Sequence, residues 1–190
     1  GARALAFAGM RQCKRHERGG DGDAHGGEHD AAPAPARHRR QVRGMRHEQA
    51  VELGQRGRGI GGPARWIAQK YGCHVTGIDL TEAFVRAAAE LNAATGMTGR
   101  VRVLRADALA LPFAAASFDR AYSQNVVMNI ADKGGFYREA WRVLRPGGVL
   151  ALSNGARGVG EPYFPVPWAE SPETSFLSSI EETRRELAAA

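Results

Sequence analysis

The sequence predicts an α/β fold in which helices cover both faces of a mainly parallel β-sheet. From residue 59 onward, short apolar runs alternate with longer segments of helical character, an order typical of parallel strands joined by crossover helices. The chain has 190 residues, the size of one ordinary domain, so it can bury a substantial core. Acids and glycines follow several of the apolar runs, where sheets of this kind bind their ligands.

The predicted elements follow one another along the chain with short connections. PARWIAQKYG predicts a helix with proline in its first turn and glycine after its end, and CHVTGID predicts a buried strand. TEAFVRAAAELNAATG predicts a helix that Thr81 caps and that stops at Gly96. VRVLRAD and SFDRAYSQNVV predict two further strands. A helix through ADKGGFYREAWRVL, a turn at RPGG and a strand at VLALS complete the pattern.

Residues 1–50 differ in composition from the rest of the chain. They hold ten Lys and Arg against six Asp and Glu, a balance of +4, whereas residues 51–190 hold sixteen against fourteen, a balance of +2. The early segment has no hydrophobic period, so we expect either a disordered basic arm or a stretch of a GC-rich gene read out of frame. The domain is then expected to occupy residues 51–190.

Charge and cysteine content narrow the possible partners and compartment. The basic excess lies mainly in the first quarter of the chain, which argues against a nucleic-acid partner for the folded domain. No apolar run is long enough for a membrane span, so no membrane partner is expected. Cys13 and Cys73 stand alone, which predicts no metal site and fits a reducing, cytoplasmic location.

Three strand ends carry residues suited to a nucleotide-like cofactor. Gly57, Gly59 and Gly61 or Gly62 would let the backbone approach a ligand closely, although Gly57-x-Gly59-x-x-Gly62 also satisfies the dinucleotide fingerprint of an oxidoreductase. Asp79 follows 22 residues after Gly57, the spacing of a carboxylate that binds ribose hydroxyls, and its alternative role is a helix cap. Asp107 could accept from an exocyclic amino group, or could be an ordinary turn aspartate.

The ordered series GRGIGGPAR, GIDLT, RADALALPFAAASFDRAYSQ and REAWRVLRPGGVLALS resembles class I S-adenosylmethionine-dependent methyltransferases, specifically the type 11 small-molecule group. The resemblance covers about residues 57–187 and implies a Rossmann-like fold and S-adenosylmethionine as cofactor. The later run with EPYFPVPWAE and SFL is similar to the sarcosine/dimethylglycine N-methyltransferase subgroup, which implies a small-molecule amine as acceptor.

The resemblance also implies residue roles. The glycine turn would wrap the methionine part of the cofactor. Asp79 would accept from the ribose hydroxyls, and Asp107 would accept from the amino group of adenine. The positions implied to bind the cofactor are Gly57, Gly59, Gly61, Asp79, Leu80, Asp107, Ala108 and Gln124.

The acceptor would be bound by Asn125, Tyr163 and Trp168, with Phe164 beside them, although the aromatic residues could equally be ordinary loop packing. No catalytic residue is assigned, since the sulfonium already activates the methyl group, and His74 is interpreted as structural. The sequence assigns no oligomeric state.

Two features depart from the family pattern. Gln55 and Arg56 separate VELG from the glycine turn, and the strand HEQAVEL has few residues able to fill the centre of a sheet. The chain also stops at Ala190, before the strands with which the family sheet closes, so the sheet is expected to be incomplete at its C-terminal edge and VLALS to form an exposed edge. An inactive methyltransferase-like fragment and, less favoured, a nicotinamide-dependent oxidoreductase therefore remain as alternatives.

Overall fold

A computed structural model describes residues 3–7, 49–53, 60–160 and 162–190. These residues form a six-stranded sheet in which every neighbouring pair is parallel, in the order β1-β6-β5-β2-β3-β4. The strands are β1 (Arg3–Phe7), β2 (Gln49–Leu53), β3 (His74–Asp79), β4 (Val101–Arg105), β5 (Phe118–Gln124) and β6 (Leu144–Ser153). The helices are α1 (Gly62–Tyr71), α2 (Glu82–Ala94), α3 (Lys133–Val143) and α4 (Ile180–Ala189), and short 3-10 turns lie at Val127–Asn129 and Pro172–Thr174.

Helices pack on both faces of the sheet, as the sequence predicts. Successive residues of a strand point to opposite faces, and β2 shows this directly. Val51 and Leu53 belong to a core that α3 covers with Phe136 and Tyr137. Ala50 belongs to the opposite core, together with Ala64 and Ala68 of α1, Val75 of β3 and Cys73 between these two elements. The predicted α/β fold with a parallel, Rossmann-like sheet is confirmed.

The strand order reverses direction between β2 and β5. From β2 the sequence order runs outward through β3 to β4, whereas β5 and β6 lie on the other side of β2. Crossover connections on the two sides leave the sheet in opposite directions, which opens a crevice beyond the carboxyl ends of the two central strands. The fold therefore marks the carboxyl ends of β2 and β5 as the place for a ligand.

Two expectations about individual strands are wrong. QAVEL forms β2 at the centre of the sheet, since Ala50, Val51 and Leu53 are enough to fill the two faces of so short a strand. VLALS is not an edge, because β6 pairs with β5 on one side and with β1 on the other. β1 lies inside the segment expected to be an arm, and β2 begins just before the expected domain boundary. Residues 8–48 of that segment lie outside the described residues.

The local signals at the helix ends are correct except at two places. α1 has Pro63 in its first turn, and Gly72 after its end is left-handed with φ of 72°. Thr81 takes the N-cap position of α2, but its side chain makes no capping hydrogen bond. RPGG does not end the element before VLALS: it lies within β6 as an irregularity that shifts the register with β5. Gly148 is required there, because a Cβ would lie 2.8 Å from the Arg145 carbonyl oxygen.

None of the helices in the described part of the chain combines the length and apolar character that a membrane span requires.

Candidate functional site

The polar residues predicted from sequence come together at one edge of the sheet. Gln124 ends β5 and Asp79 ends β3, while Asp107 follows two residues after β4. Because β5, β2, β3 and β4 are neighbours in the sheet and all parallel, their carboxyl ends form one continuous edge. The sheet order thus brings together residues that the sequence spreads over about a quarter of the chain.

Asp79 is the most deeply buried of these acids, with 2% of its surface exposed. Its Oδ1 accepts a hydrogen bond of 2.7 Å from the backbone N–H of Thr81, which fixes the turn that leads into α2. Its carbonyl oxygen accepts from the N–H of Ala106 at 3.1 Å, so the end of β3 is tied to the segment that carries Asp107. The turn role raised as the alternative for Asp79 is therefore present, and it holds the carboxylate at the carboxyl end of β3.

Asp107 lies in a tight turn beyond β4. Its Oδ1 accepts from the N–H of Leu109 at 2.9 Å, and a bridge pairs it with Ala110. Ala108 is fully buried in the core on the α3 face, whereas Asp107 itself is partly exposed at the edge. The turn role proposed as the alternative for Asp107 is therefore present, and it holds the carboxylate at the same edge as Asp79. Leu80 is half-buried in the turn after Asp79.

The glycine turn is described only at its end. Gly57 and Gly59 lie outside the described residues, and Gly61 is buried with φ of 73°, a left-handed conformation that favours glycine. Arg65 packs beside it, since a Cβ on Gly61 would lie 3.0 Å from Arg65 Nη1. That same nitrogen donates to the carbonyl oxygen of Ile60 at 2.7 Å. The entrance to α1 is therefore fixed by a side chain of the first helical turn.

Arg65 is itself held by α2. Its Nη1 also donates to Oδ1 of Asn92 at 3.1 Å, and Asn92 Nδ2 donates to the Val101 carbonyl oxygen at 3.0 Å. Asn92 is buried, so these bonds are shielded from water and join the end of the glycine turn to α2 and β4.

Glu52 is a candidate that the sequence prediction missed. It lies on β2 at the reversal of strand order, beside Tyr122 of β5 and Gly77 of β3. Burial raises the pKa of Glu52 from 4.5 to about 7, and the nearby negative charge of Asp79 acts in the same direction. Tyr122 and the positive charge of Arg65 act in the opposite direction and lower the pKa of Glu52. A central carboxyl group that titrates near neutrality is a recognised sign of a functional site.

The immediate surroundings of Glu52 explain its burial. Because Gly77 has no side chain, the carboxyl group can lie over β3, and a Cβ on that glycine would come 3.4 Å from Glu52 Oε2. Burial, followed by the neighbouring Glu52, raises the pKa of Tyr122 far above its ordinary value. The Tyr122 hydroxyl is close to Glu52 but makes no hydrogen bond of ordinary geometry with the described residues. The signal in the sequence was the acid of VEL, one residue before the strand ends.

The predicted acceptor residues Asn125, Tyr163 and Trp168 are distributed differently. Asn125 is exposed at the carboxyl end of β5, beside the reversal of strand order, next to Gln124, which is predicted to bind the cofactor and is also exposed. Trp168 is half-buried and donates from Nε1 to Ser175 Oγ at 3.1 Å, whereas Tyr163 is 98% exposed. His74 begins β3 at the opposite, amino edge of the sheet, where it is exposed.

Comparison with known proteins identifies the family. The profile described as "Methyltransferase domain" matches residues 55–152, just over half of the chain, and the match includes the glycine turn, both aspartates and β6. The chain belongs to this family of methyltransferase domains, and the expected cofactor, S-adenosylmethionine, is confirmed as the cofactor of the family.

Individual relatives agree on the domain but differ in what they methylate. The chain is 38% identical over 98 residues to "Methyltransferase GfsG" of Streptomyces halstedii, covering 52% of this chain and 35% of that protein. It is 35% identical over 130 residues to "24-methylenesterol C-methyltransferase 2" of Oryza sativa subsp. japonica, covering 64% and 36%. A solved structure titled as a putative sarcosine dimethylglycine methyltransferase from Galdieria sulphuraria is 26% identical, with a TM-score of 0.57, over 63% of this chain and 43% of that one. The chain thus spans about a third of the length of the curated relatives it matches.

Proposed function

We propose that this chain transfers a methyl group from S-adenosylmethionine to a small-molecule amine. The observation that carries the proposal is the pair of acids at the carboxyl ends of two neighbouring central strands, the buried Asp79 and the half-buried Glu52. The cofactor carries positive charge on its sulfonium and its amino group, and two hydroxyls on its ribose. A buried edge with two acids offers acceptors for the hydroxyls and a negative potential for the cation.

The other residues of the edge fit the same ligand. Gly61 leaves room at the entrance to α1, and Asp107 lies one strand further along, where the sheet order would place the base of a nucleotide whose ribose is bound by Asp79. This sequence of acceptors along β2, β3 and β4 supports the roles that the family resemblance implies for Asp79, Leu80, Asp107 and Ala108. Gly57 and Gly59 are proposed to wrap the methionine part.

The protein has little covalent chemistry to perform. The bound cofactor supplies a methyl group that is already activated by its sulfonium. The chain must hold an uncharged acceptor nitrogen in line behind that methyl group, so that the N–C bond forms as the S–C bond breaks and its electron pair stays on sulfur. The acceptor nitrogen then loses its proton to water or to a nearby base. Gln124 is proposed to contact the methionine part of the cofactor and Asn125 to orient the acceptor, because both lie at the open end of β5 beside the crevice.

The amine is the finer part of the proposal. It is supported by the EPYFPVPWAE segment and by the likeness to the Galdieria structure. An apolar acceptor of the sterol kind is the second candidate, since the loop after β6 exposes Val159 and Tyr163 and one relative methylates a sterol carbon. Trp168, half-buried in the same loop, is proposed to shape the pocket in either case.

Calorimetric titration with S-adenosylhomocysteine tests the cofactor site without knowledge of the acceptor. We expect micromolar binding and no binding of NAD. The variant Asp79→Asn keeps an Oδ1 that can accept from Thr81 but lacks the second charged oxygen, so we expect at least about tenfold weaker binding. Asp119→Asn is the matched control, because Asp119 lies at the amino end of β5, on the opposite edge of the sheet.

The outcomes separate the alternatives. Binding of NAD in preference to S-adenosylhomocysteine would favour an oxidoreductase. A folded chain that binds neither ligand would be the inactive methyltransferase-like protein. If S-adenosylhomocysteine binds, a panel of secondary amines and sterols is then assayed for methylation, with release of S-adenosylhomocysteine as the readout. The compounds that are methylated distinguish the two acceptor classes.

A further inference from the structure

The turn after β5 adopts an unusual backbone conformation at the candidate site. Gln124 ends the strand, and Asn125 follows it with φ of 55°, in the left-handed region that residues other than glycine seldom occupy. Asparagine tolerates this region better than most residues, but the conformation still has a cost that surrounding contacts must offset. Both side chains are exposed, so their direction is set by the backbone and by what holds it.

Two residues at the end of β6 bind three consecutive backbone N–H groups of this turn. The N–H of Asn125 donates to the carbonyl oxygen of Ser153 at 2.6 Å. Oδ1 of Asn154 accepts from the N–H of Val126 at 3.1 Å and from the N–H of Val127 at 3.2 Å. Val126 and Val127 are both buried, so without Asn154 these two N–H groups would be left in an apolar environment without a partner.

The same contact joins the turn to the loop after β6. Val127 begins the 3-10 turn that ends at Asn129, and the carbonyl oxygen of Met128 accepts from the N–H of Phe176 at 2.8 Å. Asn154 therefore lies at the point where the turn after β5 meets the loop that carries Trp168. A side chain that accepts two adjacent N–H groups fixes both the direction and the register of the turn.

We propose that Asn154 is a positioning residue: by accepting from Val126 and Val127 it holds Asn125 in the left-handed conformation and so places Gln124 and Asn125 over the cofactor and acceptor. This inference rests on the proposed function, because it assigns Asn154 to the same site. Asn154 acts through the turn and is not required to touch either ligand.

The test compares two substitutions at one position. Asn154→Leu has the same number of side-chain heavy atoms and the same branch at Cγ but no acceptor, whereas Asn154→Asp keeps an oxygen that can accept from both N–H groups. We expect the affinity for S-adenosylhomocysteine, measured by calorimetry, to fall about tenfold in Asn154→Leu and to stay within about twofold in Asn154→Asp. Amide hydrogen exchange of Val126 and Val127 in the ligand-free chain should accelerate in the leucine variant only.

A matched control separates positioning from general loss of stability. Asp119 lies at the amino end of β5, the strand that precedes the turn. It accepts from the backbone N–H of Gln49 at 2.9 Å and forms an ion pair with Arg145 at the amino edge of the sheet. Asp119→Ala should lower the melting temperature comparably but leave the affinity for S-adenosylhomocysteine unchanged. An equal loss of affinity in Asp119→Ala and Asn154→Leu would overturn the inference.

The remaining outcomes are also decisive. Wild-type affinity in Asn154→Leu would overturn the inference and leave the proposed function standing. Absence of binding by the wild-type chain would overturn the proposed function, and the inference with it. If the leucine variant does not fold, Asn154→Ala removes the same acceptor with a smaller side chain. Wild-type affinity, or unchanged exchange at Val126 and Val127, in a folded alanine variant would refute the positioning role.

Discussion

Replacing Glu52 by glutamine should make the protein more stable at alkaline pH. Burial raises the pKa of this carboxyl group from 4.5 to about 7, so the folded chain holds a proton that the unfolded chain releases. At about 1.4 kcal/mol for each pKa unit, this difference corresponds to roughly 3 kcal/mol. Below pH 4.5 the group is protonated in both states and burial carries no charge penalty. As the pH rises towards 7 the unfolded state is increasingly favoured, and above 7 the full penalty applies.

Urea unfolding of the wild type and Glu52→Gln at pH 5 and pH 8 measures this penalty. The difference in free energy of unfolding between Glu52→Gln and wild type should increase in favour of the variant by roughly 2 to 3 kcal/mol from pH 5 to pH 8, because glutamine has nearly the same shape and cannot ionise. Comparing the two proteins at each pH removes the contribution of the other titrating groups.

Glu139→Gln is the control for this experiment. Its hydrogen bonds with Arg142 hold the pKa of Glu139 below the ordinary value, so the group is charged throughout the interval from pH 5 to pH 8. The effect of Glu139→Gln on stability should therefore be the same at both pH values. Parallel loss of stability in wild type and Glu52→Gln would refute the reasoning, since it would mean that Glu52 is charged in the folded protein throughout this interval.

Three further predictions test the fold around the site. Leu53→Ala should lower the free energy of unfolding by about 2–5 kcal/mol in urea, because Leu53 is fully buried in the central strand; a change below about 1 kcal/mol would argue against QAVEL as that strand. Asn125→Gly should keep or raise the melting temperature, because glycine adopts the left-handed region without strain. Asn125→Val should lower the melting temperature, because valine is strained there by about 1–2 kcal/mol. Equal melting temperatures for the two variants would contradict the observed φ. Ser179→Ala should cost about 1 kcal/mol in chemical unfolding, since it removes the capping box of α4 with Glu182, and an unchanged midpoint would show that α4 contributes nothing to the cooperative unit.

The helices α1 to α3 and the strands β3 to β6 could be predicted because their signals are local. α1 carries proline and glycine at its two ends, and α2 and α3 begin and end close to the predicted residues. β2 could not be judged in the same way. Its five residues have a modest apolar content, and their burial follows from β3 and β5 on either side, which come later in the chain. The pairing of β6 with β1 could not be predicted either, because the paired residues are 146 positions apart in the sequence, as in Arg3 with Val149.

The site shows the same division between local and distant information. Asp79 and Asp107 were found from sequence because each follows its own apolar run, and the sheet order then brings them to one edge. Glu52 also lies near the end of an apolar run, but its raised pKa depends on burial between Tyr122 of β5 and Gly77 of β3. No local sequence pattern reveals that these two residues are its neighbours. Asn154 was missed for a related reason, since its two hydrogen bonds reach the turn of a different strand.

Glu52 and Asp79 together make the edge of the sheet costly in the absence of a ligand. Burial, and to a smaller extent the negative charge of Asp79, raises the pKa of Glu52, so ionising Glu52 destabilises the folded chain. A cation bound beside Glu52 would offset part of that penalty, and binding would release the proton that Glu52 holds near neutral pH. The substitution that stabilises the free protein, Glu52→Gln, should therefore weaken binding of S-adenosylhomocysteine, whose amino group is positively charged. A Glu52→Gln variant that gained both stability and affinity would place the amino group of the ligand away from Glu52 and leave Asp79 as the only acid at the edge that binds it.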